Sequence, residues 1–575
     1  MTEFAVWAPG HHRVELVSDG RSSPMSEDPT GGWWRLDVPA AGPGTRYGFS
    51  VDGGPARPDP CSPWQPDGVD GLSATVDHAA FEWSDRAWRG THWPSTVLYE
   101  LHIGTFTSEG TFDTAIERLD HLVELGVTAV ELLPVAEANG GRGWGYDGVD
   151  LWAPHHAYGG PDGLKRFVDA AHSRGLAVVL DVVYNHLGPS GNYLSEFGPY
   201  FTDRYSTPWG SAINVDGAGS DEVRRFIIAN ACMWFADYHV DGLRLDAVHA
   251  IVDESALHVL EEMAEEVEAL AAHLGRPLWL IAESDRNDPS LVRSREAGGY
   301  GLTASWSDDF HHALHAALSG DRSGYYEDYG LLSQVGRALE RVYVYGRDYS
   351  PHRDRHHGRP AGDLPRTSFL GYLQNHDQIG NRAVGDRSAA LLSAGRLKVG
   401  AALVLTAPFV PMLFQGEEWG ASTPWQYFTD HPDPELGRAV REGRRKEFAA
   451  FGWAPEDVPD PQDPATRDRS VLRWEELDTD PHRSVLEWHR TLLALRRELP
   501  ALATDGPLDT AVEVSDDEQW LQVSRAGVQI SANLGAEPRR FPVGGAGRLL
   551  AASSERVVLG EGWVEVPADA AALTA

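Results

Sequence analysis

The chain has little cysteine, almost no lysine and no long hydrophobic run, and each shortage narrows what it can be. Of its 575 residues only Cys61 and Cys232 are cysteines, too few and too far apart for a disulfide framework. The second lies in the apolar run Ala229-Asn-Ala-Cys-Met-Trp-Phe235 and reads as a buried free thiol. Lysine occurs only at 165, 398 and 446, so the positive charge is nearly all arginine. Lys+Arg number 49 against 85 Asp+Glu, and the formal net charge of -36 argues against nucleic acid or an anionic membrane as partner, since both are polyanions. The longest apolar stretch, 401–414, is too short to span a bilayer and contains two prolines. No basic and apolar leader opens the chain, so a soluble, cytoplasmic protein is expected.

Aromatic residues, by contrast, are plentiful: Trp 20, Tyr 18 and Phe 18 exceed what a core needs. Surplus tryptophan suits flat, partly apolar ligands such as sugar rings. The length implies several domains, about three or four by size alone. Residues 1–90 alternate apolar and polar positions in short bursts (Phe4, Val6; Val14, Leu16; Tyr47, Phe49, Val51) between Gly/Pro/Asp turns, the pattern of a small β-sandwich, with 53–71 as a linker. Trp33 and Trp34 are adjacent and face opposite sides, so at least one of them belongs to a core.

From about 91 to 500 the rhythm changes. Apolar strands are expected at 97–106, 129–134, 177–184, 242–247, 278–282, 302–305, 369–373 and 411–415. Helices are expected at 112–125, 163–173, 221–238, 256–274, 291–296, 326–344, 396–405 and 485–499. Eight βα units without a Gly-x-Gly-x-x-Gly turn after the first strand predict an α/β fold of the closed (β/α)8 barrel type. A long excursion at about 187–220 follows the third strand, and 501–575 returns to alternation as a small C-terminal β domain.

In a barrel, chemistry sits at the C-terminal ends of the strands. Those ends carry Asp181-Val-Val-Tyr-Asn-His186, then Arg244 and Asp246, then Glu283, then Asn375-His-Asp377. Strand alternation turns Arg244 and Asp246 the same way, which sets a carboxylate beside a fixed cation. Read alone, Asp246 fits a salt-bridged strand end as well as a nucleophile. Several carboxylates gathered on one face shift the reading to chemistry, because ionisable groups are costly to bury without a task. Glycoside hydrolysis needs one ionised carboxylate at the anomeric carbon and one protonated group for the leaving oxygen. Asp246 is expected as nucleophile, Glu283, after an apolar strand, as general acid/base, and Asp377 as the third carboxylate gripping a distorted sugar ring. A metal site would draw on His186, His249 and His376, but these lack tight ligand spacing, so no metal and no cofactor is expected.

These four segments resemble the signature regions of the α-amylase family of glycoside hydrolases, in the family's order. The resemblance implies a retaining mechanism through a covalent glycosyl enzyme on Asp246. It implies further that His186, His376 and Arg244 contact the sugar at the cleavage point or orient the nucleophile, and that Tyr146, in Trp144-Gly-Tyr-Asp-Gly148, stacks beneath that sugar. In many members the asparagine matching Asn185 ligates calcium; here the following segment offers Asp203 and Asp216 but no compact ligand loop, and no required metal is predicted. Other stretches, among them Trp306-Ser-Asp-Asp-Phe-His-His312, Gln415-Gly-Glu-Glu-Trp-Gly420 and Arg441-Glu-Gly-Arg-Arg-Lys-Glu-Phe448, are similar to a branch of the family that cuts an α-1,4 bond next to a terminal trehalose. That similarity implies a trehalose-ended malto-oligosaccharide as substrate. Candidates for contacting it are Asp308, Asp309 and His312 after strand six, with His249 in the cleft and Trp209 and Trp425 as stacking faces. The alternatives are a branching or debranching enzyme and a non-catalytic glucan-binding relative.

Overall fold

A computed structural model describes residues 2–29, 31–449, 453–499, 502–503, 510–525, 527–544 and 547–575. Its centre is a closed barrel of eight parallel strands: Leu98–Leu101, Ala129–Leu132, Ala177–Val182, Gly242–Leu245, Trp279–Ala282, Ala304–Trp306, Phe369–Gly371 and Val410–Phe414, here the first to the eighth. Each lies within or beside an expected segment, and most end sooner. The first stops at Leu101, and Ile103–Phe106 turns helical.

The period of two along each strand sorts side chains into two sets. Leu101, Leu180, Leu243, Leu245 and Ala282 face outward into the main core under the helices. Leu98, Ala129, Ala177, Val179, Ile281, Trp306 and Met412 fill the interior. The same alternation brings Glu100 and Glu131, cross-strand partners, and Asp181 and Arg244, also partners, inward one layer nearer the C-terminal ends. The interior thus passes from apolar to charged along the barrel axis.

Helices Gly160–Ser173, Ser220–Asp237, Val259–Leu274, Ala394–Leu405 and His482–Glu498 occupy expected places. Two expectations fail. In place of the expected helix 291–296 stand two short 3-10 turns, Pro289–Leu291 and Arg295–Ala297, the second closed by Gly298 in a left-handed conformation (φ 77°). The expected helix 326–344 is a 3-10 turn, Gly324–Asp328, then the helix Leu332–Arg341, while the helix that follows strand six is the unexpected Asp308–Ser319. Ser307 starts that helix by accepting from Phe310 N (3.4 Å), a cap the sequence displays as Ser-Asp-Asp.

Two sheets precede the barrel. One pairs Thr2–Trp7 with Trp33–Val38 and Ser26–Glu27; the other joins Arg21–Pro24, Val14–Ser18, Arg46–Val51 and Ser73–Ala74. Trp34 is buried between them, and Trp33 is half-buried under Arg35. Arg57 grips Glu196 with two hydrogen bonds (2.9 and 2.8 Å), tying this sandwich to the excursion after strand three. That excursion holds a hairpin, Phe201–Thr207 and Gly210–Ile213, with Trp209 at its turn. A five-stranded and a three-stranded sheet form the C-terminal unit. The junction expected at 500/501 falls on residues 500–501, outside the described residues. Both cysteines are free, and Cys232 is half-buried rather than buried, since its helix turns Ala231 and Met233 to the core instead. No helix among the described residues is long and apolar enough to cross a membrane.

Candidate active site

A cleft of about 630 Å³ opens at the C-terminal ends of the strands. Arg244, only 2 % exposed, is its electrostatic centre. Its Nη1 donates to both oxygens of Asp181 (2.9 Å each) and to Asp246 Oδ1 (2.6 Å), and Nη2 stands 3.6 Å from Glu283 Oε2. Burial works against the guanidinium charge, but Asp181, Asp246 and Glu283 more than offset it and raise its pKa well above the ordinary value. The indole of Trp306 lies beneath it, 4.4 Å from Cζ to the ring centroid.

Asp246 follows the fourth strand directly. Its second oxygen accepts from Asn185 Nδ2 (2.8 Å), and the same amide reaches the Asp246 carbonyl (2.9 Å). The next residue, Ala247, adopts a left-handed backbone (φ 40°, ψ 49°), unusual for a residue with a Cβ. This bend aims Ala247 N–H at Glu283 Oε2 (2.6 Å), so the turn after one carboxylate holds the other. Glu283 keeps 16 % of its side chain exposed and Asp246 13 %. Loss of water pushes the Glu283 carboxyl well above the usual range; Arg244 opposes this, and Asp246, Asp308 and Asp377 reinforce it.

The other cleft residues are held in turn. Tyr146 donates to Asp181 Oδ2 (2.6 Å), meets His376 Nε2 (2.7 Å), and stacks on that imidazole with ring centroids 5.2 Å apart. His376 Nδ1 bonds to Glu100 Oε1, and its backbone N–H donates to Glu100 Oε2 (3.0 Å). Burial alone would lower the His376 pKa, but the Glu100 carboxylate raises it above the ordinary value. His186 bonds through Nδ1 to Asn185 Oδ1 (2.5 Å) and stacks against Trp209, whose residue is 49 % exposed. His249 lines the cleft with a buried Nδ1 that has no partner among the described residues. Asp377 is exposed at the rim.

The structure does not bring all the expected side chains to this cleft. Asp309 is buried and spent on Tyr329 Oη, Asn287 Nδ2 (2.9 Å) and the backbone N–H groups of Val344 (2.6 Å) and Tyr345 (2.8 Å), where it holds a loop. His312 is buried among Tyr325, Tyr326 and Tyr329. Trp425 has no exposed surface and stacks on Trp144 at 5.3 Å, so it supports the wall rather than offering a face. Asp308 lies nearer: it accepts from Tyr372 (2.5 Å) and Gln378 (3.2 Å), and burial lifts its pKa to about 7. Residues to which the sequence assigned no role in the cleft complete the site. Glu100 orients His376, and its signal was a carboxylate inside an otherwise apolar strand. Asn185 orients Asp246. The helix Pro434–Ala449 supplies a cleft wall through Leu436, Val440 and Arg444.

For cations, the oxygens of Asp216 are already engaged by Arg204 (3.1 Å) and Tyr205 (2.8 Å). Glu137, His155 and His156 bring one donor each within 4.8 Å. Glu137, however, accepts from His156 N and bonds Nδ1 (2.7 Å each), and His155 Nδ1 accepts from Ala157 N (3.1 Å).

Residues 78–206 match the family model of the alpha amylase catalytic domain, and residues 1–64 match carbohydrate-binding module 48, the isoamylase N-terminal domain. A malto-oligosyltrehalose trehalohydrolase of Arthrobacter ramosus is 56 % identical over 520 residues, covering 90 % of this chain and 89 % of that one. One from Mycobacterium tuberculosis is 48 % identical over 574 residues, covering 99 % and 98 %. A solved structure from Salmonella typhimurium, described as an alpha amylase, superposes with a TM-score of 0.91 at 40 % identity, covering 100 % of this chain and 97 % of that one.

Proposed function

The chain belongs to the malto-oligosyltrehalose trehalohydrolase family of α-amylase-type glycoside hydrolases, and we propose that it cuts the α-1,4 bond next to a terminal trehalose, releasing trehalose and a malto-oligosaccharide. The observation that carries the chemistry is the grouping of Asp246 and Glu283 around one buried guanidinium, with Asp377 at the same rim. Asp246 attacks the anomeric carbon, its oxygens pre-aimed by Arg244 and Asn185. Glu283, whose raised pKa keeps it protonated, delivers its proton to the leaving glycosidic oxygen of trehalose. It then takes a proton from the water that attacks the glycosyl ester, so configuration is retained. Asp377 grips hydroxyls of the distorted ring, Tyr146 lies beneath it, and His186 and His376 bond its other hydroxyls. Trp209 offers an exposed indole face to a bound sugar.

Trehalose is a bent, non-reducing disaccharide, and buried polar groups reject a leaving group that cannot pair them more strongly than shape does. Incubation with a trehalose-ended glucan and with maltoheptaose, with products identified by NMR, tests the reading. Trehalose as main product, a first product of α configuration and slow cleavage of maltoheptaose are expected. Equal rates would reduce the reading to a general α-glucan hydrolase, and new α-1,6 bonds would favour a branching enzyme.

A further inference from the structure

We propose that Asn381 and Arg444 are positioning residues for the Asp377 carboxylate, forming a hydrogen-bonded link from the cleft-wall helix Pro434–Ala449 to that acid. This rests on the reading of Asp377 as the carboxylate that grips the ring at the cleavage point. Asp377 stands in the first turn of the short helix His376–Gly380 and is exposed, so packing does not hold its side chain. What holds it is Asn381 Nδ2, one helical turn on, which donates to Asp377 Oδ1 at 2.7 Å.

Asn381 is exposed too, and an amide can present either its NH2 or its oxygen to a neighbour. Arg444 decides which. Its Nη1 lies 3.4 Å from Asn381 Oδ1, and its Nη2 donates to the carbonyl of Gly380. A guanidinium offers only donors, so the amide oxygen must face it and the NH2 must face Asp377. Arg444 is in turn fixed. Only 12 % of its side chain is exposed, its Cζ sits 5.1 Å from the Tyr427 ring centroid and 4.7 Å from that of Phe448, and Nη1 also reaches Glu447 (3.4 Å). One turn earlier, Arg441 clamps the same helix to Asp460 (2.9 Å).

The link leaves the second oxygen of Asp377 to the sugar and restricts the carboxylate to one orientation. Its benefit appears in the strained complex, where hydroxyl contacts must tighten, so the link acts on turnover more than on binding. Leu436 and Val440 of the same helix line the cleft, and a bound chain therefore touches the element that aims Asp377.

The experiment is a kinetic double-mutant cycle on the full chain with a trehalose-ended glucan. Asn381→Ala should lower kcat about 10- to 100-fold, the scale of a displaced catalytic group, with KM within about twofold. Arg444→Leu should do likewise. The double variant should be no slower than the worse single one, because a link cut twice is cut once. Asn381→Asp adds a readout that mere structure would not move. Its added acid can donate to Asp377 only while protonated, so the variant should work at low pH and gain a new loss of activity as pH rises. Additive losses, an effect confined to KM, or an Asn381→Asp pH profile identical to wild type would overturn the proposal. If the wild type turns over maltoheptaose but releases no trehalose, the functional reading fails, and the same cycle and pH profile run on maltoheptaose decide the link by the same outcomes.

Discussion

The fourth barrel strand, Gly242–Leu245, is bracketed by two aspartates, Asp241 before it and Asp246 after it, and their surroundings differ completely. Asp241 has no exposure. Its Oδ1 accepts from Trp88 Nε1 and Arg276 Nη1 (2.8 Å each), and its Oδ2 accepts from Val178 N and bonds His172 Nε2 (2.9 Å each). His172 passes the network on to Asp85 (2.9 Å), which also holds His239 (2.8 Å). Asp246 has two side-chain partners and faces an open cleft. Identical residues five apart thus divide the work: a carboxylate whose bonding capacity is filled fastens the base of the barrel, and one left open to the cleft is available for chemistry.

The contrast can be broken at either end. Asp246→Asn should lower turnover by more than about 1,000-fold while the melting temperature stays close to wild type, because an amide forms no stable glycosyl ester. Kinetics on a preparation free of wild-type enzyme checks this. Glu283→Gln should lose about 100-fold or more on a substrate whose leaving group needs a proton, and much less on an activated one. The raised pKa of Glu283 means activity is lost as pH rises through it, so this basic limb should vanish in Glu283→Gln assayed on the activated substrate. An unchanged limb would assign it to another group.

Asp241→Ala should do least to turnover per folded molecule and most to stability, with a cost of about 3–5 kcal/mol for breaking a buried charged network. Its pH dependence has a definite sign. Burial alone would lower the His172 pKa, but hydrogen bonds to Asp241 and Asp85 raise it above the free value. The stabilisation of the charged imidazole is then fully present below about pH 6.5, the unfolded value, and fades as pH rises through the folded one. The gap in urea midpoint between wild type and Asp241→Ala should therefore narrow from pH 6 to pH 9. A gap that widens would show that His172 does not carry the charge.

Much of this arrangement was legible in the chain because it is local. Strand periodicity put Arg244 and Asp246 on one side, and both bond as that predicts. The sequence places a helix at 326–344 and none at Asp308–Ser319, although Ser307-Asp-Asp309 displays the cap of the latter. Asp308 and Asp309 are neighbours on that helix, yet one faces the charged interior and the other a buried loop, a distinction that 100° of helical rotation makes and composition does not. Trp209 and Trp425 read alike in sequence; one sits at an exposed hairpin turn, the other under Trp144.

By itself the sequence determined eight alternating strands, the two flanking β regions and the carboxylates at the strand ends, since period, turn chemistry and strand termination are properties of neighbouring residues. Only the tertiary structure decided which polar groups meet: Glu100 with His376, 276 positions on, Asn185 with Asp246, and Arg444 with Asn381. Such pairs depend on how the barrel closes and where its loops fold back. Hydrogen-bond partners are chosen by distances of about 3 Å between atoms that the chain itself leaves unconstrained.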